Sequence, residues 1–190
     1  MTANDFKKII EFGKESTSLE FKESETWENL KQKIIRFILA MTNTREGGHL
    51  IIGITDEGKL KGMKKEHVVT YKEEEIKDCL AEHADPHVNF NMDIIKDDGK
   101  NFVVFTVREF DEIPVICKKD NRELHKGVIY IRTINRRPES ASVPDSAHMR
   151  SLIELATDKM NENLKVRGLE YKNSLTTTKS FQEEIDDLNI

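Results

Sequence analysis

The side chains that point most clearly to a function are cations concentrated in one stretch of the chain. Residues 118–137 hold seven Lys or Arg against two Asp or Glu, although the whole chain has a formal net charge of -5. Cations at this density could follow a phosphate backbone, and such binding weakens as salt rises. Alternation puts Tyr130 and Arg132 on one strand face, where the ring could stack on a base. The candidate nucleic-acid contacts are Lys118, Lys119, Arg122, Lys126, Tyr130, Arg132, Arg136 and Arg137. A solvated loop is an equally good interpretation of the same stretch.

A glycine pair, Gly47 and Gly48, follows a helical pattern and precedes an apolar run. With Asn43 and Thr44 the pair could cradle a phosphate through backbone N–H groups, but no Gly-Lys-Ser/Thr follows it. We therefore interpret it as a helix end and a close backbone approach into a buried strand. This leaves an ATP-binding regulator as the weakest of the functions considered.

Cys79 and His83 stand four residues apart on one face of a predicted helix, with His87, Cys117 and His125 as further zinc-ligand types. Structural zinc sites usually bring their ligands in close pairs. Because Cys79 also lies on a core-facing stripe, a buried structural cysteine is preferred over a zinc site.

Local patterns predict a mixed α+β scaffold that positions these groups. Helices are expected over residues 4–12, from a cap at Thr26 through Met41, over 72–84, and from Asp145 or Ser146 onward. Strands are expected over 18–22, 50–54, 88–95, 102–107, 114–117 and 127–132. The predicted class is α+β, with a mixed, mostly antiparallel sheet of about six or seven strands packed with three main helices. This domain should span residues 1–165, and 166–190 should form a C-terminal tail.

Burial patterns give the expected arrangement of these elements. Leu50, Ile51 and Ile52 are apolar without alternation, which predicts a central strand covered on both faces. The residues 56–58 that follow supply an acidic turn that should fold the chain back as a hairpin. The preceding helix has a core-facing stripe formed by Leu30, Ile34, Phe37, Ile38 and Met41. The last helix has a second stripe formed by Met149, Leu152, Ile153, Ala156 and Met160. In the tail, a short helix could form on docking from Phe181, Ile185 and Leu188.

Composition excludes several classes of protein. Two cysteines do not make a disulfide framework. No apolar run reaches the roughly 18 to 20 residues needed to span a bilayer, and residues 1–8 lack the apolar core of a signal peptide. We therefore expect a cytoplasmic protein with no membrane partner.

Three separated motifs resemble the Schlafen AlbA-2 family. They are Glu-Ser-Thr-Ser-Leu-Glu-Phe-Lys at 15–22, Ala-Met-Thr-Asn-Thr with Gly-Gly-His-Leu-Ile-Ile-Gly-Ile within 40–54, and Gly-Val-Ile-Tyr-Ile-Arg at 127–132. Their order and spacing match over about residues 10–160. The resemblance implies a mixed α+β fold and a nucleic-acid partner, because the family is described as DNA-binding and its animal relatives include transfer-RNA and ribosomal-RNA endonucleases.

The same resemblance implies a catalytic and metal-binding set formed by Glu15, Glu20 and Asp56. Three carboxylates could hold Mg or Mn for phosphodiester cleavage. Odd spacing puts Glu15 and Glu20 on opposite faces of a straight strand, so they converge only if Glu15 lies in the turn before it. The family's nucleases have a larger two-lobed body with a zinc finger, and a homodimer could supply the second lobe here.

The sequence therefore predicts a domain that binds RNA or DNA, with metal-dependent cleavage of RNA as its catalytic form. The alternative is a non-catalytic regulatory or interaction module. In that module the acidic helix at 72–84 and the C-terminal tail contact a protein partner, and the three carboxylates are solvated surface residues.

Overall fold

The computed structural model describes residues 2–11, 15–134 and 138–169. Its helices are α1 (Ala3–Glu11), α2 (Trp27–Thr42), α3 (Lys65–Val68), α4 (Glu73–His83) and α5 (Ser146–Val166). Its strands are β1 (Leu19–Lys22), β2 (Gly48–Ile52), β3 (Ala84–Asp85), β4 (Phe90–Asp97), β5 (Lys100–Val107), β6 (Ile116–Cys117), β7 (Tyr130–Arg132) and β8 (Ser140–Ser142). The predicted α+β class is confirmed.

The principal sheet has four strands in the order β1-β2-β5-β4, and β2 lies inside it. β1 runs parallel to β2, whereas β5 is antiparallel to both β2 and β4. Leu50 and Ile52 pack into the larger core cluster with α2, and Ile51 packs into a smaller cluster with Phe6 of α1. Both faces of β2 are therefore covered, as its unbroken apolar run predicts.

Helix α2 is the main element packed on this sheet. The five residues of its predicted stripe are all buried, and burial extends around the whole of its last turns, from Phe37 to Thr42. The residue that follows the helix and caps it is Asn43, whose side chain is also buried. The Asn43 amide nitrogen donates to the carbonyls of Val115 and Tyr130 at 2.9 Å each, and its oxygen accepts from the Val115 N–H at 2.8 Å. A single side chain thus joins the end of α2 to two later segments.

The strand arrangement differs from the predicted sheet of about six or seven strands. Two strand pairs, β3 with β6 and β7 with β8, stand apart from the four-stranded sheet. β8 was not expected, because Ser-Ala-Ser at 140–142 shows neither β-branched residues nor apolar alternation. The four-residue helix α3 was also not expected. In contrast, the β4–β5 hairpin is confirmed, with positive φ at Asp98 (45°) and Gly99 (73°) in its turn.

Helix α5 begins at the predicted cap, since the Asp145 side chain accepts from the His148 N–H at 2.9 Å. Its predicted core stripe is only partly buried. Of its five residues, Leu152 is buried, whereas Ile153 and Met160 are each 57% exposed; Leu155, which was not in the predicted stripe, is also buried. No helix in the described ranges is long and apolar enough to cross a membrane.

Candidate nucleic-acid interface

The first part of the predicted cationic stretch, residues 118–126, forms a loop between β6 and β7, which we call the basic loop. Its two ends are held together by backbone hydrogen bonds. The Cys117 N–H donates to the Val128 carbonyl at 2.9 Å, and the Gly127 N–H donates to the Cys117 carbonyl at 2.7 Å. The loop therefore leaves and re-enters the fold at one place.

Side chains inside the basic loop fix its backbone. The Asn121 side-chain oxygen accepts from the N–H groups of Glu123 and Leu124 at 2.8 and 2.9 Å, and an Asp120 carboxylate oxygen accepts from the Lys126 N–H at 2.9 Å. Leu124 is fully buried and anchors the loop to the core. Asp and Asn readily accept from backbone N–H groups a few residues on, so the Asp120-Asn121 pair is a sequence signal from which an ordered loop could have been predicted.

The cations of the basic loop fall into two groups. Lys119 forms an ion pair with Glu82 at 2.6 Å, and hydrogen bonding to that carboxylate raises the pKa of the lysine. Lys118, Arg122 and Lys126 are exposed, and none of them has an ion-pair partner among the residues that the structure describes. These three charges are free to meet an anion.

The loop's own acids are partly engaged by neighbouring side chains. A Glu123 carboxylate oxygen lies 3.7 Å from an Arg36 nitrogen of α2, and an Asp120 carboxylate oxygen lies 4.0 Å from Nδ1 of His125. The Asp120 contact is an ion pair only when His125 is protonated. Glu123 is thus turned toward α2, whereas the Asp120 side chain stays 69% exposed, and neither acid forms an ion pair with Lys118, Arg122 or Lys126.

Tyr130 shares a strand face with Arg132, as alternation predicts, but that face points into the protein. Tyr130 is 5% exposed, and its hydroxyl accepts from the His125 N–H at 2.9 Å. Burial raises the pKa of this hydroxyl. The predicted base-stacking role is therefore corrected: the ring is internal, and the hydroxyl holds the end of the basic loop.

Arg132 is likewise an interior residue, with a side chain that is 1% exposed. Its guanidinium lies 2.7 Å from a Glu20 carboxylate oxygen and 5.2 Å from the centre of the Phe37 ring. It also donates to the carbonyls of Ser16 and Pro138 at 3.3 and 3.2 Å. Because these groups enclose the guanidinium, we remove Arg132 from the phosphate contacts. The other two predicted cations, Arg136 and Arg137, lie outside the described residues.

The three predicted metal-binding carboxylates have separate surroundings. Glu15 is exposed and accepts from the Phe21 N–H of β1 at 3.0 Å. Glu20 pairs with Arg132 and Lys22, and Asp56 is exposed in the turn after β2. Within the described ranges, no group of three or more His, Cys, Asp or Glu side chains could hold a metal ion. The arrangement of Glu15, Glu20 and Asp56 therefore does not fit shared ligation of Mg or Mn.

Three of the residues considered as zinc ligands, Cys79, His83 and Cys117, are buried in the protein interior. Nδ1 of His83 lies 2.7 Å from the Cys79 carbonyl oxygen, a contact within one helical turn. Cys79 and Cys117 are buried free thiols, and burial raises the pKa of both. The two cysteines behave here as small core side chains.

The family assignment follows from comparison with known sequences. The profile of the family described as Schlafen, AlbA_2 matches residues 15–138, which is more than half of the chain. The chain therefore belongs to the Schlafen AlbA_2 family. A search of curated proteins found no significant match.

Two solved structures are similar to this one. The crystal structure of the DIP2311 protein from Corynebacterium diphtheriae has a TM-score of 0.46 and 18% identity, over 72% of this chain and 26% of that one. The solution structure of the N-terminal domain of a protein named as related to the ATP-dependent DNA helicase RecG, from Nitrosomonas europaea, has a TM-score of 0.44 and 19% identity, over 66% of this chain and 86% of that one. This chain thus spans about a quarter of the Corynebacterium protein.

Proposed function

We propose that this chain is a nucleic-acid-binding domain that contacts phosphates through the basic loop. The observation that carries the proposal is a set of three exposed cations, Lys118, Arg122 and Lys126, which have no ion-pair partner among the described residues and stand on a loop with a fixed backbone. Phosphate contacts by Lys and Arg supply most of the sequence-independent affinity for nucleic acid. A loop that is already ordered loses less conformational freedom on binding than a flexible one.

Family membership supports the same proposal, because the motifs that resemble Schlafen AlbA-2 imply a nucleic-acid partner. The proposal assigns binding and no metal-dependent cleavage. Glu20 neutralises a buried arginine, and the described residues present no group of three or more metal-ligand side chains. Phosphate contacts are common to RNA and DNA, so both should bind through the same three cations.

The test is the salt dependence of binding. Affinities of the full chain for a fluorescent single-stranded RNA and a fluorescent duplex DNA are measured between about 50 and 200 mM salt. We expect Lys118→Ala/Arg122→Ala/Lys126→Ala to lower the affinity and to reduce the slope of log affinity against log salt by about 0.7 to 0.9 for each phosphate that is no longer neutralised. The slope is informative because a folding defect lowers the active fraction without changing the number of phosphates that the protein neutralises.

The matched control is Lys8→Ala/Lys65→Ala/Lys96→Ala. It also removes three positive charges, but from α1, α3 and β4, where all three lysines are exposed. We expect the wild-type slope from this control. Equal losses in both triple variants would show that only overall charge matters, and an unchanged slope in the loop variant would remove the basic loop from the interface.

A further inference from the structure

An apolar groove of about 520 Å³ runs along one side of α5. Residues of α5 form one wall, and residues 112–114 with Ile129 form the other. Four of the large apolar side chains that the described part of the chain exposes line this groove. They are Ile113 (60% exposed), Ile153 and Met160 (57% each) and Met149 (38%). Single exposed apolar side chains are ordinary on a protein surface, but a contiguous set of this kind marks a contact surface.

The α5 wall of the groove is symmetric about its own midpoint. Its stripe at helical spacing consists of Met149, Ile153, Ala156, Thr157, Met160 and Leu164. If two α5 helices lie antiparallel and cross between Ala156 and Thr157, Ile153 of each copy faces Met160 of the other, and Met149 faces Leu164. The small side chains at the crossing point allow the two helices to approach closely. A two-fold interface requires a surface that is complementary to itself, and this stripe meets that requirement.

We propose that this groove is the interface of a homodimer, in which the α5 helices of two copies pack antiparallel about a two-fold axis. The stripe from Met149 to Leu164 extends along about 22 Å of helix, so the contact is long enough to define one orientation. Ile153 and Met160 of each copy would enter the groove of the other and meet Ile113 on its far wall. Removal of these side chains from water on both copies supplies the driving force.

Charge at the two ends of the stripe favours the antiparallel orientation. Arg150 at the N-terminal end is exposed and has no ion pair with any residue that the structure describes. Glu112 lies at the C-terminal end, where its carboxylate is 3.4 Å from Arg167 and its side chain is 62% exposed. Antiparallel packing brings Arg150 of each copy toward Glu112 of the other, whereas parallel packing would bring the two Arg150 side chains together. Opposite charges at the rim of an interface select its orientation in this way.

The proposed interface is separate from the basic loop and from the predicted C-terminal tail. Lys118, Arg122 and Lys126 do not line the groove, so the dimer does not depend on the proposed nucleic-acid contacts. Residues 170–190, which include Phe181, Ile185 and Leu188, lie outside the described residues, and none of them is part of the proposed interface.

Sedimentation equilibrium and light scattering of the full chain, free of nucleic acid, test the proposal from low to high micromolar concentration. We expect a dimer of twice the chain mass whose population rises with concentration. Ile153→Ser/Met160→Ser should give a monomer with the wild-type circular dichroism spectrum, because both side chains are exposed in the single chain. The matched control is Val69→Ser/Ile94→Ser, which changes two exposed apolar residues outside the groove and should still form the dimer.

A charge exchange tests the orientation of the two helices. Arg150→Glu should raise the dissociation constant of the dimer at least about tenfold, since it replaces two attractive contacts with Glu112 by two repulsive ones. Arg150→Glu/Glu112→Arg should restore the wild-type dissociation constant. A double variant that dimerises no better than Arg150→Glu would overturn the antiparallel arrangement.

Two results would overturn the dimer itself. A protein that stays monomeric at the highest concentration would assign the groove to a different partner, and a dimer that survives Ile153→Ser/Met160→Ser would use another surface. Lys118→Ala/Arg122→Ala/Lys126→Ala should remain dimeric, because its changes lie outside the groove. Loss of the dimer in that variant would show that the basic loop or bound nucleic acid joins the two copies, and would overturn the proposal.

Discussion

The buried Arg132 guanidinium gives Glu20 a structural role that the sequence did not indicate. The family resemblance places Glu20 among the catalytic candidates, where loss of its charge would leave stability unchanged. In the structure its carboxylate faces a guanidinium whose side chain is 1% exposed. Removing one member of a buried ion pair leaves the other uncompensated, which is far more costly than losing a surface pair.

We therefore expect Arg132→Ala to lower the free energy of unfolding by about 3 to 5 kcal/mol, and Glu20→Gln by about 1 to 3 kcal/mol because the amide still accepts a hydrogen bond. Urea denaturation measures both. Arg122→Ala is the control and should change stability by no more than about 0.5 kcal/mol, since Arg122 is exposed. If Glu20→Gln is as stable as the wild type, the ion pair does not stabilise the fold.

His49 on β2 should make stability depend on pH. Its ring is partly buried, with Nδ1 3.2 Å from the Thr106 hydroxyl oxygen, and burial lowers its pKa below the ordinary 6.5. As pH falls through 6.5, the unfolded state takes up a proton that the folded state resists, so stability is lost on acidification. Urea denaturation at about pH 7.5 and 5.5 should show a smaller loss for His49→Gln than for the wild type.

The control for this experiment is His125→Gln, because the His125 side chain is 71% exposed. This variant should lose as much stability on acidification as the wild type. An equal loss in His49→Gln would mean that other groups cause the pH dependence.

Among the elements, β2 depends on a glycine at its first residue. An added Cβ at Gly48 would overlap the Ser18 carbonyl oxygen and the Met41 sulfur. The close backbone approach that the sequence predicts for the glycine pair is found at Gly48, where β2 lies against Ser18 and α2. Gly48 therefore serves packing, and nothing in this geometry requires a phosphate.

We expect Gly48→Val to lower the free energy of unfolding by at least about 1 to 3 kcal/mol, because neither neighbour can yield without moving backbone or core. Thermal and urea denaturation measure the loss. In the matched variant Gly99→Ala, the added carbon meets nothing within 4 Å, so only the cost of a left-handed backbone remains, about 1 kcal/mol. A Gly48→Val protein of normal stability would contradict the close approach.

Elements with strong local sequence patterns could be predicted from the sequence. Features that depend on which other parts of the chain pack against them could not. Helix α2, strand β2 and the β4–β5 hairpin follow from apolar spacing and turn residues. Alternation correctly put Tyr130 and Arg132 on one face, but it cannot say whether a face points inward, because that depends on what packs against it. The burial of these two side chains follows from tertiary packing.

At the scale of the whole molecule, the predicted cations and the predicted carboxylates differ in how far the structure agrees with their proposed roles. The cations Lys118, Arg122 and Lys126 remain available because each stands on an exposed loop. The carboxylates were grouped by resemblance alone, and their convergence required a tertiary arrangement that spacing cannot define. The stripe on α5 was correctly recognised as apolar, and the structure adds that most of it faces a groove.

The Asn43 amide has a consequence for the order of events in folding. Its partners Val115 and Tyr130 lie 72 and 87 residues further along the chain. Contacts between residues so far apart require closure of long loops, which opposes their early formation. These hydrogen bonds should therefore form after the transition state.

Asn43→Ala should lower the free energy of unfolding by about 2 to 4 kcal/mol, since it leaves the buried Val115 N–H without its acceptor. Most of this loss should appear as an unfolding rate at least about tenfold faster, with a nearly unchanged folding rate. Stopped-flow kinetics in urea separates the two rates. A slower folding rate with unchanged unfolding would instead place Asn43 in the folding nucleus. On the expected result, the hydrogen bonds of this asparagine form late in folding and slow the detachment of β7 during unfolding.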